Sequence, residues 1–212
     1  MNRLRIRFKR EEEIKFISHL DLTRVWQRAF RRAGVEMVYS DGFTPHPRLS
    51  LAAPLALGVT SSCELMDVYT VKAISGPSLD CMVSAQLPAG LKIDQVCSVP
   101  LELPTLQSQL RFAEYMVQVV AAEADVIKQS IDSLMSKDSL PWGHRRDVGV
   151  KSYDLRPLIN SLGWEASQDM TVMLRMKLRC DSNGAGRPEQ VVLALGLGIP
   201  LSIQRTRLFL QS

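Results

Sequence analysis

The sequence predicts an α+β fold of two ferredoxin-like (βαββαβ) halves, each a two-layer sandwich of helices on a sheet. Three features lead there. Apolar residues alternate in short stretches, as at Leu4, Ile6 and Phe8 and again at Val172, Leu174, Met176 and Leu178, the period of a half-buried strand. Segments of helical spacing lie between them, and up to residue 100 the order is strand, helix, strand, strand, helix, strand. A stretch with prolines at 100 and 104 follows, after which the pattern starts again. The expected division is residues 1–100, a linker at 101–108, and residues 109–212.

In the first half, Leu4, Ile6 and Phe8 alternate with Arg3, Arg5, Arg7 and Lys9, giving a strand with a basic row opposite its apolar side. Ser18 with Asp21 three residues on forms a capping box, so a helix should begin at His19; Gly34 supplies the left-handed residue that ends it. At 100° per residue, Leu22, Val25, Trp26, Ala29, Phe30 and Ala33 share one face, and Asp21, Arg24, Arg28, Arg31 and Arg32 share the other. Residues 37–40 form a short strand, 49–59 an extended apolar passage, 62–74 a strand, 78–86 a helix through Leu79, Met82 and Val83, and 91–99 a last strand.

The second half is expected to repeat this. Residues 112–120 form a strand with Ala113, Tyr115, Val117 and Val119 on one side, and 124–135 a helix through Val126, Ile127, Ile131 and Leu134. Residues 140–164 are irregular, basic at His144, Arg145, Arg146 and Lys151, with a turn of helix at 156–162. Residues 171–179 form a strand with Arg175, Lys177 and Arg179 opposite its apolar side. A short helix opens at Arg187-Pro188-Glu189, and residues 203–210 close as a strand carrying Arg205 and Arg207.

Net charge is +4, but residues 1–50 hold 11 Lys/Arg against 6 Asp/Glu, so the remainder is slightly acidic. That asymmetry points to an anionic partner for the N-terminal half. Cys63, Cys81, Cys97 and Cys180 show no Cys-x-x-Cys spacing, which excludes a zinc or iron–sulfur motif and suits free thiols in a reducing compartment. No segment resembles a signal peptide or membrane span, so a cytoplasmic protein without cofactor is expected.

Two features carry the functional expectation. Four arginines with one acid on a helix face exceed what solubility requires, although a solvated face is the plain reading. In Gly42-Phe43-Thr44-Pro45-His46-Pro47-Arg48, two prolines hold a histidine and an arginine in a stiff loop that loses little entropy on binding. A sheet face left uncovered by helices would add Arg5, Arg7, Arg175, Lys177 and Arg205 to a basic surface fit for a nucleic-acid backbone. Aromatics for base stacking are sparse on that face, unlike a typical RNA-recognition motif.

The runs FISHLDLTR (residues 16–24), RAFRRAG, YSDGFTPHPRLS and PLALGVTSSCELMD resemble the radical-SAM-linked family, a domain of unknown function found beside or fused to radical SAM/B12-binding proteins. The likeness continues through Asp154-Leu155-Arg156-Pro157-Leu158-Ile159 and Arg187-Pro188-Glu189. It marks His19, Asp21, Arg24, Arg28, Pro45, His46, Pro47, Glu64 and Asp67, with no role assigned to any, and it implies a radical SAM/B12-binding partner and an RNA context. The radical cluster motif Cys-x-x-x-Cys-x-x-Cys is missing, so the chain is not itself the radical enzyme.

The resulting expectation is a non-catalytic module that holds tRNA or rRNA for a radical SAM partner, contacting RNA through Arg5, Arg7, His19, Arg24, Arg28, Arg31, His46, Arg48, Arg175, Lys177 and Arg205. One alternative is a docking subunit that touches no nucleic acid. Another is a metal-independent RNA-processing enzyme with His19 or His46 as general acid/base. Glu64 and Asp67, with His19 and Asp21, are the candidates for a metal site.

Overall fold

The computed structural model describes residues 1–120, 123–145, 150–166 and 171–211. The chain is of the α+β class and divides into two compact units, one of residues 1–110 with 211–212, the other of residues 111–210.

The first unit runs β1 (Asn2–Arg10), α1 (His19–Arg32), β2 (Leu49–Leu51), β3 (Thr60–Thr70), α2 (Gly76–Ser84), β4 (Leu91–Val99) and α3 (Leu106–Gln109). Its strands lie in the order β4-β1-β3-β2, all antiparallel, with Arg5 opposite Asp67 and Asp67 opposite Ser50. Leu4, Ile6 and Phe8 put one face of β1 into the core, where Trp26 of α1 meets Phe8 edge-on at 4.9 Å and stacks on Phe30 at 5.8 Å. Leu22, Trp26, Ala29 and Phe30 are the buried stripe of α1. Ser18 Oγ accepts the Asp21 N–H and donates to the Asp21 carboxylate, closing the predicted cap. At the other end Gly34 has φ +68°; its N–H bonds to Arg31 O and the Val35 N–H to Phe30 O, a Schellman ending. The Arg10 guanidinium, buried beneath the 3-10 turn Glu12–Ile14, donates to the carbonyls of Ile14, Lys15 and Ile17 and so fixes the approach to α1. Gly76 opens α2 so close to β4 that a Cβ would overlap the Val96 carbonyl oxygen.

Several local expectations are corrected. The stretch 37–40 makes only two isolated bridges, Met37 to Thr70 and Tyr39 to Pro47. The apolar passage 49–59 is strand only at Leu49–Leu51, although Leu51, Ala52, Ala53, Leu55 and Val59 are buried. Met82 points outward from α2. Residues 101–109, expected to be mostly linker, belong to the first unit: Leu106 is buried, Gln107 bonds to Ser50 and Leu51, and Arg3 donates to the carbonyls of Leu103 and Pro104. This segment covers part of the sheet face expected to be open.

The basic row of β1 is compensated rather than free. Arg3 and Arg5 both grip Asp67, whose carboxylate accepts four hydrogen bonds of 2.6–3.0 Å from the two guanidiniums. Arg3 is 2% exposed and Asp67 0%. Arg7 pairs with Asp94 at the surface.

The second unit runs β5 (Leu110–Val120), α4 (Ala124–Met135), β6 (Pro141–Arg145), β7 (Val150–Asp154), β8 (Ile159–Ala166), β9 (Thr171–Asp181), β10 (Gly184–Ala185), α5 (Pro188–Ala194) and β11 (Ser202–Leu210), with a 3-10 turn at Arg156–Leu158. Its main sheet is ordered β8-β9-β5-β11, with β10 also along β9, and β6 and β7 form a separate antiparallel hairpin. That hairpin and β8 occupy the stretch expected to be irregular, and the expected helical turn at 156–162 is three residues of 3-10 helix before β8. The second unit therefore does not repeat the first element for element. Ala113, Tyr115, Val117 and Val119 of β5 face the core as expected, with Val172, Leu174, Met176 and Leu178 of β9. Val126 points out of α4, leaving Ile127, Ile131 and Leu134 as its buried stripe. Arg146 and the side chains of His144, Arg145 and Lys151 lie outside the described residues.

Replacing Asp67 by Ala strands two guanidiniums, one of them fully buried. Urea unfolding should show a loss of about 3–5 kcal/mol. A loss below about 1 kcal/mol would mean that the pair behaves like an exposed ion pair.

Candidate functional site

The outward face of α1 and the Pro/His loop form the most marked polar site in the first unit. Arg24, Arg28, Arg31 and Arg32 are exposed there because the apolar residues of α1 occupy the opposite stripe. Arg24 pairs with Asp21 at 3.0 Å, with both groups more than half exposed. Arg28, Arg31 and Arg32 make no ion pair among the described residues. Arg31 and Arg32 sit in the last turn, where the helix dipole favours cations, but Arg28 has no such compensation.

The loop is built as a pinned hairpin tip. The Arg48 N–H bonds to Val38 O at 2.6 Å, the Ser40 N–H to His46 O at 2.9 Å, and the His46 N–H to Ser40 Oγ at 3.1 Å. These bonds fix the neck, and Gly42 with φ +120° turns the tip in a conformation that a side chain rarely adopts. Phe43 at the tip is 109% exposed, its ring wholly in solvent.

The two elements meet. A groove of about 380 Å³ is lined by Arg24, Gln27, Arg28 and Arg31 from α1 and by Tyr39 and Pro47 from the loop neck. A second groove of about 390 Å³ runs along the other flank of α1, with Val25, Arg28 and Arg32 facing residues 85–88 after α2. Arg28 lines both. One helix face thus offers guanidinium donors beside an exposed Tyr39 ring, an arrangement that can hold phosphates and stack a base.

The other residues singled out from sequence fall elsewhere or are engaged. His19 begins α1 half-buried and His46 is exposed at the loop neck; neither ring bonds to a carboxylate among the described residues, so no acid/base pair is assembled. Arg48 lies over the Tyr69 ring at 4.3 Å instead of in the α1 groove. Arg175 pairs with Glu165 and Arg179 with Asp181, while Lys177 sits over the rings of Phe209 at 4.2 Å and Phe112 at 4.9 Å. Arg205 is fully buried and Arg207 lies over Phe209. Most of the cations expected on the sheet surface are thus engaged by acids, rings or burial within each unit. Glu64 and Asp67 are buried, Asp67 between two guanidiniums, and no group of three His, Cys, Asp or Glu side chains converges among the described residues. No helix among the described residues is long and apolar enough to cross a membrane.

Gln27, Tyr39 and Phe43 belong to the site and were missed as site residues. Gln27 lies three positions after Arg24 and four before Arg31, a spacing that puts it on their face by helical angle. Tyr39 and Phe43 stand within YSDGF, but only the pairing at the loop neck brings Tyr39 beside α1.

A family model described as an uncharacterized protein conserved in bacteria (DUF2344) matches residues 3–188. No curated protein matches the chain. Among solved structures, a chain of a Cbf5-Nop10-Gar1 complex shares the fold with a TM-score of 0.56 and 11% identity over 99% of this chain and 50% of that one. A chain of the archaeal box H/ACA sRNP Nop10-Cbf5 complex gives a TM-score of 0.49 and 9% identity over 96% of this chain and 47% of that one. The present chain spans about half the length of these structural relatives. At such identity the likeness concerns fold alone.

The Asp21 carboxyl is held below the usual carboxylate range, first by the Ser18 hydroxyl and then by Arg24, with a smaller contribution from Arg28. Because its folded pKa is depressed, the capping contribution is complete above the ordinary Asp value of about 3.9 and is lost as pH falls through the folded value. Carboxyl NMR titration should find the Asp21 midpoint shifted down in the wild type and moved back up in Ser18→Ala. An unchanged midpoint would show that the hydroxyl does not hold the carboxylate.

Proposed function

We propose, for a chain that belongs to the DUF2344 family of uncharacterized bacterial proteins, the role of a non-catalytic RNA-binding module. The observation that carries this reading is the groove where Arg24, Arg28 and Arg31 stand beside Tyr39, with Phe43 exposed at the tip of the same pinned loop. Guanidiniums supply the sequence-independent phosphate contacts, and exposed rings on a rigid support supply stacking for unpaired bases. The α1 face, rather than the sheets, is the contact surface in this reading, because the strand cations already have partners in the fold. His46 stands at the loop neck beside the stacking residues and serves as a contact. His19, half-buried at the start of α1, falls on the side of the helix away from Arg28 and outside the groove.

The architecture reads as two versions of one split βαβ plan. The first unit has the order β4-β1-β3-β2, and the second has β11-β5-β9-β8 with the β6–β7 hairpin inserted before β8. The fold shared with a chain of the Cbf5-Nop10-Gar1 complex is compatible with an RNA role without arguing for it. The bound RNA is a tRNA or rRNA segment presented to a radical SAM/B12-binding partner. A second reading, docking on that partner without RNA, is favoured by the exposed apolar side chains Phe16, Leu20, Phe43 and Leu57.

Binding of tRNA and rRNA fragments across a salt series tests the proposal. Wild type should lose affinity steeply, with a slope of roughly −0.7 per phosphate neutralised on a single strand. Arg24/Arg28/Arg31→Glu should abolish binding while remaining folded. Phe43→Ala should keep the salt slope and lose about 1–3 kcal/mol on unpaired RNA, with little change on duplex. Absence of salt-sensitive binding by folded wild type would sink the RNA reading and leave protein docking.

A further inference from the structure

The two motifs of the second unit, Asp154-Leu155-Arg156-Pro157-Leu158-Ile159 and Arg187-Pro188-Glu189, face one cavity of about 420 Å³. Much of the first motif is scaffold. Asp154 Oδ1 accepts the backbone N–H groups of Leu140 at 2.8 Å and Arg156 at 2.9 Å. The Arg156 guanidinium donates to the carbonyls of Met135, Lys137 and Ile159, closing the C-terminal end of α4, and Leu155 and Ile159 are core. Arg187 has no such employment. It is exposed, lines the cavity and makes no ion pair among the described residues, whereas Arg179 on the same wall is held by Asp181.

The rest of the wall is arranged and polar. The Tyr153 hydroxyl bonds to Gln190 Oε1, and the amide N–H donors of Gln190, itself 7% exposed, make no hydrogen bond among the described residues. Asn183 adds a further carboxamide, and Pro157 and Leu158 are apolar. The turn before α5 is pressed against the 3-10 turn: a Cβ at Gly184 would lie 2.8 Å from Leu158 Cδ2, and one at Gly186 3.1 Å from Leu158 O. The cavity is therefore preformed, as ligand sites usually are.

We propose that this cavity binds a nucleoside monophosphate, with Arg187 on the phosphate, Tyr153, Pro157 and Leu158 against the nucleoside, and Gln190 and Asn183 on its polar edges. A single uncommitted guanidinium matches one phosphoryl group. The volume falls in the range of about 300–1,000 Å³ that encloses whole small molecules, more than a phosphate ion or an amino acid fills. The mix of amide donors and acceptors suits hydroxyls and base edges better than a second anionic group. This site stands independently of the α1 groove and of the RNA reading.

Calorimetric titration of the full chain with AMP, GMP, CMP and UMP tests it, with inorganic phosphate and citrate as competitors. Saturable binding of at least one nucleotide is expected, weakened ten-fold or more by Arg187→Ala, partly recovered by Arg187→Lys, and unchanged by Arg24/Arg28/Arg31→Glu. Circular dichroism checks that each variant is folded. No saturable binding by wild type would overturn the proposal, as would equal binding by Arg187→Ala or loss in the α1 variant. Competition by phosphate or citrate at concentrations as low as the nucleotide's would overturn the nucleoside assignment.

Discussion

Asp67 sits between Arg3 and Arg5 at the centre of the first unit, and the register of three strands converges on it. Arg5 is its cross-strand partner on β1, and Ser50 its partner on β2. Arg3 also donates to the carbonyls of Leu103 and Pro104, so one carboxylate orders two guanidiniums and, through them, the segment that follows β4. A buried charge cluster of this kind contributes little net stability but penalises every arrangement that leaves a member unpaired. Slipping β1 by one residue would place Leu4 or Ile6 against the carboxylate and send the arginines into the Trp26 core. The cluster and the apolar alternation therefore enforce the same register from opposite faces of one strand.

That constraint also explains where the usable charge of the molecule lies. A strand with alternating arginines looks like a basic surface when only its own residues are considered. In the structure those cations are engaged by acids and rings of the same sheet, as with Arg175 and Glu165 across strands, Arg179 and Asp181 along one strand, and Lys177 with Phe112 and Phe209. Helix α1 has only Asp21 to offset its outward arginines, so it keeps the uncompensated charge.

The parts of the fold legible in the sequence were those fixed by nearest neighbours. The Ser18–Asp21 cap, the Gly34 ending and the buried stripe of α1 each depend on residues within one or two turns. So do the alternation of β5 and β9. What escaped depended on distant partners. The hairpin β6–β7 carries little apolar alternation, and its existence rests on pairing Trp142 with Tyr153 and Pro141 with Asp154. The site was half legible for the same reason: helical angle placed Arg24, Arg28 and Arg31 together, but only the closure between Ser40 and His46 brings Tyr39 to their side. Arg48, adjacent in sequence to the loop, is diverted to Tyr69.

The pinned neck of that loop separates two kinds of change. Its hydrogen bonds involve backbone groups and Ser40, and the backbone of residues 41–45 takes no part in the sheet. Substitution at Asp41, Phe43 or Thr44 therefore alters what the surface presents while leaving the fold's own bonding intact. The tip can vary at little cost in stability, on a neck whose hydrogen bonds it does not share. The loop is a cassette, and its chemistry can be exchanged without renegotiating the structure beneath it.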